Sequence, residues 1–143
     1  MLGASISALE PIATAIFGAL NGAGAFTVLS PILNDVPQGT AAPYTVLENF
    51  TEAPWNTMRE YGKTVTFQLH TVTKDDVARG DQAGFRIQSA ARTVLDYQKF
   101  ATTNHQMVQC KFDSGDHWKE EAIGGVVTRH HVSIYRVDVW QST

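Results

Sequence analysis

The chain has 143 residues, of which 43% are hydrophobic and 17% charged, and its formal net charge is −3. This length and composition exclude wholesale disorder and predict a single globular domain spanning residues 1–143. The lack of a basic excess argues against a protein that grips nucleic-acid phosphates, and the single Cys110 excludes an internal disulfide framework and a multi-cysteine zinc site.

Charge is unevenly distributed along the chain. Residues 1–58 contain four acidic residues and no Lys or Arg, which gives −4, whereas residues 59–143 contain eleven basic and ten acidic residues, which gives +1. A secretory signal needs a positively charged start, and the first residues have none. The apolar segment 6–20 is interrupted by Glu10 and Pro11 and is too short to span a bilayer. We therefore expect an unexported protein that does not contact a membrane.

The first predicted element is a helix over residues 6–20. Its apolar residues recur at spacings of three and four, which places them on one helix face. Ser7 and Glu10 have the spacing of a capping box, which predicts that each satisfies a free backbone N–H at the helix start. Asn21 and Gly22 both tolerate left-handed geometry, so we expect the helix to end there.

Three strands are predicted after this helix. Residues 26–29 form a short apolar run that suggests a small strand, and a polar, proline-punctuated loop follows over 30–42. Residues 43–50 alternate between apolar and polar and predict a second strand. A second long connection covers 51–62. Residues 63–73 then alternate cleanly, which is typical of a half-buried strand.

The last third of the chain predicts one helix and two strands. Asp81 is expected to cap a helix that runs to about residue 97, and a strand follows over 106–113, with Val108 and Cys110 on one face. A polar loop over 114–125 then leads to a long final strand over 126–140. The order α-β-β-β-α-β-β predicts an α+β domain in which two helices pack on one face of a mainly antiparallel sheet.

The histidines suggest a metal site as one interpretation. His130 and His131 are adjacent on a predicted strand, so their side chains point to opposite faces and cannot chelate one ion together. His105 and His117 lie near opposite ends of one strand-loop unit, with two aspartates between them. A zinc site there is conceivable, but we favour the interpretation that these are solvated loop residues.

No catalytic motif is persuasive. Cys110 with a distant histidine could form a thiol nucleophile, but a buried structural cysteine is the favoured interpretation. The carboxylate pairs at 75–76 and 120–121 lie in polar segments typical of solvated turns. The sequence has no nucleophile elbow, phosphate-cradling loop or dinucleotide fingerprint. We therefore expect no enzyme activity, no cofactor and no catalytic or metal-binding residue.

Aromatic and apolar residues occur in the predicted loops. Trp55, Met58 and Tyr61 lie in one polar connection and Trp118 in another. Loops normally stay polar at the surface, so such residues either fold back onto the core or meet a partner. Aromatic residues and Met are enriched at the centres of interfaces, which favours contact. We expect Trp55→Ala and Tyr61→Ala to weaken assembly and to leave the fold intact.

The arrangement of motifs resembles a known family. A turn leads into a strand over residues 35–44, Pro54 and Trp55 follow, and the final strand contains Thr-Arg-His-His-Val-Ser-Ile-Tyr-Arg-Val at 128–137. Over residues 7–139 this layout resembles the tail completion, or tail terminator, proteins of long-tailed bacteriophages and phage-like gene transfer particles. This sequence departs from the family in a longer, more charged insertion at 114–121.

The resemblance implies a structural role in a virion. Such proteins form a homohexameric ring on the head-proximal end of the tail tube, stop the tube protein from polymerising and present a surface to the head-tail connector protein. DNA passes through the lumen without being specifically bound. The implied location is the virion tail or neck, after assembly in the host cytoplasm. Together with the loop aromatics, the resemblance gives these candidate interface residues: Asp35, Gln38, Trp55, Met58, Tyr61 and Trp118.

Two alternatives stay open at this point. The first keeps the structural class and places the protein on the head side, as a connector or joining protein of the neck. The second is a small metal- or ligand-binding enzyme, since small α+β sheets often contain pockets. Such an enzyme would draw on Cys110, His105 or His117.

Overall fold

In the computed structural model, residues 4–56, 60–76 and 79–142 are described. They form three helices and five strands. The helices are α1 (Leu9–Asn21), α2 (Gly24–Thr27) and α3 (Gln82–Leu95). The strands are β1 (Ile32–Leu33), β2 (Tyr44–Pro54), β3 (Gly62–Asp76), β4 (His105–Lys119) and β5 (Val126–Gln141).

The strands form one five-stranded sheet in the order β1-β2-β3-β5-β4. The short β1 runs parallel to β2, and the other three neighbouring pairs are antiparallel. The two longest pairings join β5 to its neighbours β3 and β4. The predicted α+β class with a mainly antiparallel sheet is therefore confirmed.

The core lies between the helices and one face of the sheet. Alternation along β3 buries Val65, Phe67 and Leu69 on this face, and Phe67 stacks on Tyr135 of β5 with ring centroids 5.4 Å apart. From the other side, α1 contributes three fully buried residues, Ile12, Ile16 and Leu20. Helix α3 contacts β3, β4 and β5, and α1 contacts β2. The predicted placement of helices on one sheet face is confirmed.

The expected small strand over 26–29 is wrong. These residues overlap the four-residue helix α2, in which Phe26 is fully buried. The first strand lies further along, at Ile32–Leu33, inside the predicted loop 30–42, and pairs with Thr45 and Val46. A run of four apolar residues is too short to distinguish a strand from a buried helical turn, so tertiary contact decided its conformation.

The predicted capping box at the start of α1 does not form. The N-cap residue is Ala8, which makes no side-chain cap, and the local acceptor at the helix start is the Ser7 hydroxyl, which accepts the Leu9 N–H at 3.3 Å. Instead Glu52, on β2, accepts hydrogen bonds from the Ala8 N–H at 2.7 Å and from the Ser7 hydroxyl at 3.2 Å. A distant carboxylate thus takes the role predicted for Glu10, because β2 passes beside the N-terminus of the helix.

The expected polar loop over 114–125 is also wrong in its first half. Strand β4 continues to Lys119 and pairs with β5 up to Arg129, so the two strands form a long hairpin. Every residue from 113 to 126 is exposed in this hairpin. Because neither face of the outer strand is buried there, its sequence lacks the alternation by which strands are recognised. The turn contains Gly124 and Gly125, both at positive φ.

Two other boundaries shift for related reasons. Strand β2 continues to Pro54 and β3 begins at Gly62, which shortens the expected connection 51–62. A bulge between Met107 and Gln109 separates Val108 from Cys110. Val108 is 41% exposed and Cys110 is fully buried, so the prediction that they share a face is wrong.

No helix in the described segments is long and apolar enough to cross a membrane.

Candidate interaction surface

The sheet face opposite the helices carries a cluster of aromatic and apolar side chains in which Trp118 is the exposed member. We call this surface the open face and define it by Val46, His70, Trp118, His130 and Val132. The register places His70 beside Val46 and Val132, and Trp118 beside His130. Trp118 is 45% exposed, and its ring stacks on His130 with centroids 5.0 Å apart and an interplanar angle of 6°. The sequence placed Trp118 in a loop, which is wrong, because it lies on β4.

Four polar side chains form a chain across the open face. The Glu48 carboxylate lies 3.0 Å from His70 Nδ1, and His70 Nε2 lies 2.8 Å from His130 Nδ1. His130 Nε2 faces the Glu120 carboxylate at 3.6 Å. A carboxylate only accepts, so a neutral His70 donates to Glu48 and accepts from His130. When both histidines are neutral, the bare Nε2 of His130 and the Glu120 carboxylate are two acceptors that face each other without a shared proton.

The opposite face of the hairpin contains a second histidine cluster. His131 is 2% exposed and lies under α3, where a Cβ on Gly84 would come within 2.1 Å of its ring. Its Nε2 lies 3.3 Å from an Asp81 carboxylate oxygen, and its ring stacks on His117 at 5.7 Å. Burial lowers the pKa of His131, and the nearby Asp81 only partly opposes this effect. The neutral imidazole is therefore the form that packs here.

Asp81 occupies the predicted N-cap position of α3 but does not act as a cap. Its side chain makes no hydrogen bond to the helix start. Its carboxylate instead lies 3.6 Å from Nε of Arg129, which is 4% exposed, and contacts His131 on the same strand. The acidic side chain predicted to start α3 thus joins this helix to β5.

Three of the predicted interface residues lie where the second polar connection was expected. Trp55 folds back onto the sheet, with its ring centroid 4.0 Å from that of Trp140, and it covers Gly62. Tyr61 is partly buried, and its ring lies 5.9 Å from the Lys63 ammonium. Met58 lies outside the described residues. The assignment of these residues to an interface stays a prediction.

Asp35 and Gln38 are both exposed in the loop between β1 and β2. The Asp35 carboxylate accepts the N–H of Val36 at 2.9 Å, which shapes the turn and leaves its charge at the surface. This loop lies at the β1 end of the sheet, whereas Trp118 lies on β4 at the other end. The six candidates are therefore not one patch, and their assignment to contacts also stays a prediction.

The residues that the enzyme alternative needs do not assemble. Cys110 is fully buried, and burial raises the pKa of its thiol to about 12, which disfavours the thiolate. His105 is tied to backbone carbonyls, with its ring nitrogens 3.1 Å from Thr103 O and 3.2 Å from Ile6 O. Within the described segments, no three His, Cys, Asp or Glu side chains are grouped to hold a metal ion.

Among the residues that the structure describes, partners cover the outer edge of β4 along only half of its length. In the first half, Cys110 exchanges backbone hydrogen bonds with Tyr97 and Gln98, and the Phe112 N–H donates to the Asp96 carboxylate. In an antiparallel pair, the backbone N–H and C=O groups of every second residue point away from the neighbouring strand. The Glu120 N–H donates to Thr128 O, so pairing with β5 uses the even positions there. The outward positions of the second half, which we call the free edge, are Gly115, His117 and Lys119.

Sequence reasoning missed both the polar chain on the open face and the free edge. Neither has a local signal, since Glu48, His70 and His130 are on three different strands. The adjacent pair His130 and His131 was correctly predicted to point to opposite faces. That prediction could have suggested two separate histidine clusters once the strand order was known.

Comparisons with known proteins agree with this fold. A family model described as "Tail completion protein gp17" matches residues 14–142. A search of curated proteins finds no match. A chain from a solved structure described as "Virion of native gene transfer agent (GTA) particle" superposes with a TM-score of 0.79 at 16% sequence identity, and the match covers 95% of this chain and 99% of that chain. At this identity the likeness concerns the fold.

Proposed function

The chain belongs to the tail completion protein gp17 family, and from this premise we propose that it forms a ring that caps the head-proximal end of a phage tail tube. The family match over residues 14–142 is the observation that carries the proposal. In this role the protein is a structural component of the virion tail and not an enzyme. It stops the tube protein from polymerising and offers a surface for head-tail joining.

A closed ring of identical subunits needs two different patches that fit each other. The sheet order separates two such patches, since β1 and β4 are at opposite ends. At the β1 end, Val28 is 80% exposed and the loop after β1 exposes Asp35. At the β4 end, the connector after α3 exposes Tyr97, at 66%, together with Lys99. Each end thus exposes one apolar residue and one charged residue, and the charges at the two ends have opposite signs. This supports a head-to-tail contact between the ends.

The charge of the chain suits a passage for DNA. Phosphates bind to clustered Lys and Arg, and a strongly basic lumen would slow a moving duplex. The net charge of −3, with no basic residue among residues 1–58, supplies no such cluster in the first part of the chain. We therefore propose that DNA passes through the ring without specific binding.

Tail assembly without this protein tests the proposal. If the protein stops tube growth, particles made in its absence carry tubes of variable and excessive length, and supplying the protein restores a uniform length. Electron microscopy measures both distributions, and native mass spectrometry of the purified protein with tube ends tests for six subunits. Normal, uniform tails that fail only to join heads would contradict a terminator and favour the head-side joining alternative.

A further inference from the structure

The free edge of β4 has few of the features that usually protect an edge strand. Exposed edge strands recruit other chains, so proteins usually blunt them with bulges, prolines, charged side chains or covering segments, and of these the outward positions have only the charge of Lys119. On the other side of the sheet, β2 is covered at its start by β1, has a bulge between Glu48 and Thr51 and ends at Pro54. In β4, the stretch from Gly115 to Lys119 has neither a bulge nor a proline. The His117 N–H donates to the Asp116 carboxylate, and the other outward N–H and C=O groups can pair with an added strand.

We propose that the free edge binds an extended segment of another tail protein, which adds a sixth strand and carries basic side chains on the face that Trp118 occupies. Strand addition of this kind derives affinity from main-chain hydrogen bonds and specificity from alternate side chains. The inference rests on the proposed function. It adds the edge at which a neighbouring tail protein binds and the kind of side chains that this protein presents.

The charges beside the free edge select a basic partner. Asp116 and Trp118 alternate along the end of β4 on the face away from the helices. Glu120 follows directly after the strand, and its carboxylate faces His130 on the same face. Within the described segments, neither carboxylate forms an ion pair with Lys or Arg. Basic side chains on a neighbouring strand would meet these carboxylates, since opposite charges on adjacent strands attract. The ring face of Trp118 that does not stack on His130 can accept a cation as well.

The polar chain on the open face ends at two acceptors that can bind one hydrogen-bond donor of a partner. His130 Nε2 and the Glu120 carboxylate face each other at 3.6 Å, and both are acceptors when His70 and His130 are neutral. An ammonium or guanidinium group donates to both at once. Asp116 now accepts the N–H of His117 at 2.8 Å. A basic side chain that takes over this carboxylate frees that N–H to pair with the added strand.

On the helix side, the same edge selects apolar side chains. Phe85 of α3 is 52% exposed, and its ring contacts that of His117 with centroids 5.3 Å apart. A strand beside β4 turns every second side chain toward this aromatic pair. The expected segment therefore alternates basic and apolar residues.

A second copy of this chain does not supply such a segment. Residues 1–58, which include the exposed stretches 4–7 and 34–41, contain no Lys or Arg. The connector that carries Lys99 is already paired with its own β4 through Tyr97 and Gln98. The edge at β2 carries Glu48 and Glu52, which would repel the carboxylates beside the free edge. Charge complementarity therefore selects a different protein as the occupant.

Peptide binding followed by NMR tests the inference. The ¹⁵N-labelled protein is titrated with an eight-residue peptide that alternates Val and Lys. We expect shifts concentrated at the amides of Gly115, His117 and Lys119 and at the Trp118 indole. We expect a peptide that alternates Val and Glu to bind with a Kd about ten-fold higher or more. We expect the same of a Val-Lys peptide in which every second backbone nitrogen is methylated. Shifts scattered over the surface, or equal binding of all three peptides, would overturn the inference.

A pair of variants separates the edge from its charge. Lys119→Pro places a ring on the outward side without removing a hydrogen bond to β5, whereas Lys119→Thr keeps the N–H and removes the same charge. We expect Lys119→Pro to abolish binding of the Val-Lys peptide and Lys119→Thr to retain it. If Lys119→Pro loses its native spectrum, the methylated peptide makes the same test on the unaltered protein.

Two further outcomes identify the source of an error. Concentration-dependent shifts of the same amides without peptide would show that a second copy occupies the edge, and the proposed partner would then be wrong. Restoration of uniform tail length by Lys119→Pro would contradict a role for the edge in tail assembly and leave the ring proposal intact. Failure of Lys119→Thr as well as Lys119→Pro would contradict the inference, and failure of the unaltered protein would contradict the proposed function.

Discussion

At the scale of single residues, the histidines show how position on a strand decides chemistry. His130 and His131 are neighbours in the chain, yet one joins a polar chain on the open face and the other is buried under α3. His105, which the metal interpretation drew on, instead ties the N-terminal segment to β4 through backbone carbonyls. The same residue type thus has surface, core and tethering roles in one small sheet.

The burial of His131 predicts a pH dependence of stability. Its pKa is lowered from 6.5 in the folded state, so below that pH the unfolded chain binds a proton that the folded chain resists. Its stabilising contribution is thus complete above about pH 6.5 and is lost as the pH falls, at up to about 1.4 kcal/mol per pH unit. Asp81 opposes the loss, whereas Arg129 and His117 add to it.

Urea unfolding at pH 7.5 and pH 5.5 measures this effect. Other groups titrate in the same range, so the comparison is with His131→Gln, which keeps a polar side chain and cannot be protonated there. We expect the decrease in unfolding free energy to be smaller in the variant. The same decrease in both proteins would show that His131 does not contribute.

Gly84 is predicted to be intolerant of a side chain. An added Cβ would lie within 2.1 Å of the ring of His131, which belongs to the neighbouring strand β5. We expect Gly84→Ala to lower the free energy of unfolding by about 1–3 kcal/mol, as overpacking does in cores. Gly18 is the matched control, because it also lies in a helix and a Cβ added to it would meet nothing within 4 Å. Gly18→Ala is expected to stabilise by about 0.5–1 kcal/mol, and equal effects in denaturant titrations would contradict the argument.

At the scale of elements, the start of α1 depends on a strand distant in sequence. Glu52 on β2 supplies the carboxylate that accepts the Ala8 N–H and the Ser7 hydroxyl. The bulge in β2 lies between Glu48 and Thr51, immediately before this residue. The irregular strand thus both discourages pairing with other chains and contributes a helix cap.

Removing this cap should destabilise the protein. We expect Glu52→Ala to lower the free energy of unfolding by about 1 kcal/mol, the usual cost of losing an N-cap. Glu10 is in the first turn of the same helix but makes no cap bond, so Glu10→Ala should cost only a few tenths of a kcal/mol. Thermal unfolding monitored by circular dichroism compares the two variants. A larger loss of stability in Glu10→Ala than in Glu52→Ala would support the local capping box instead.

At the scale of the whole molecule, the sheet separates the surfaces that we propose for assembly. The acidic loop after β1 and the connector that carries Lys99 lie at opposite ends, and the free edge of β4 lies beyond the part that this connector covers. One subunit can therefore contact a copy of itself at two ends and a different protein at the hairpin without competition among them.

A charge exchange tests the proposed ring contact. Asp35 and Lys99 are both exposed, so reversing either charge should leave the core unchanged. Asp35→Asn keeps an acceptor for the Val36 N–H and controls for the loss of that turn bond. We expect Asp35→Lys and Lys99→Asp each to reduce the restoration of uniform tail length, and the double variant to recover it. Native mass spectrometry with tube ends and electron microscopy provide the measurements. If the double variant is as impaired as the singles together, these ends do not meet.

The sequence by itself determined the elements with strong periodicity. The strand at Val65 to Leu69, the α3 stripe and the long β5 were predicted because each buries one face on a regular period. Cys110 was also correctly predicted as buried. These features depend on spacing that a chain carries locally.

Only the tertiary structure decided the features that depend on distant neighbours. Residues 114–119 have the sequence of a loop because an exposed strand buries neither face, and only pairing with β5 makes them a strand. Glu52 became a cap because β2 passes α1, and the polar chain formed because Glu48, His70 and His130 come from three strands. The free edge depends on strand order, which no local pattern encodes. Each of these features exists only where separate segments meet in space.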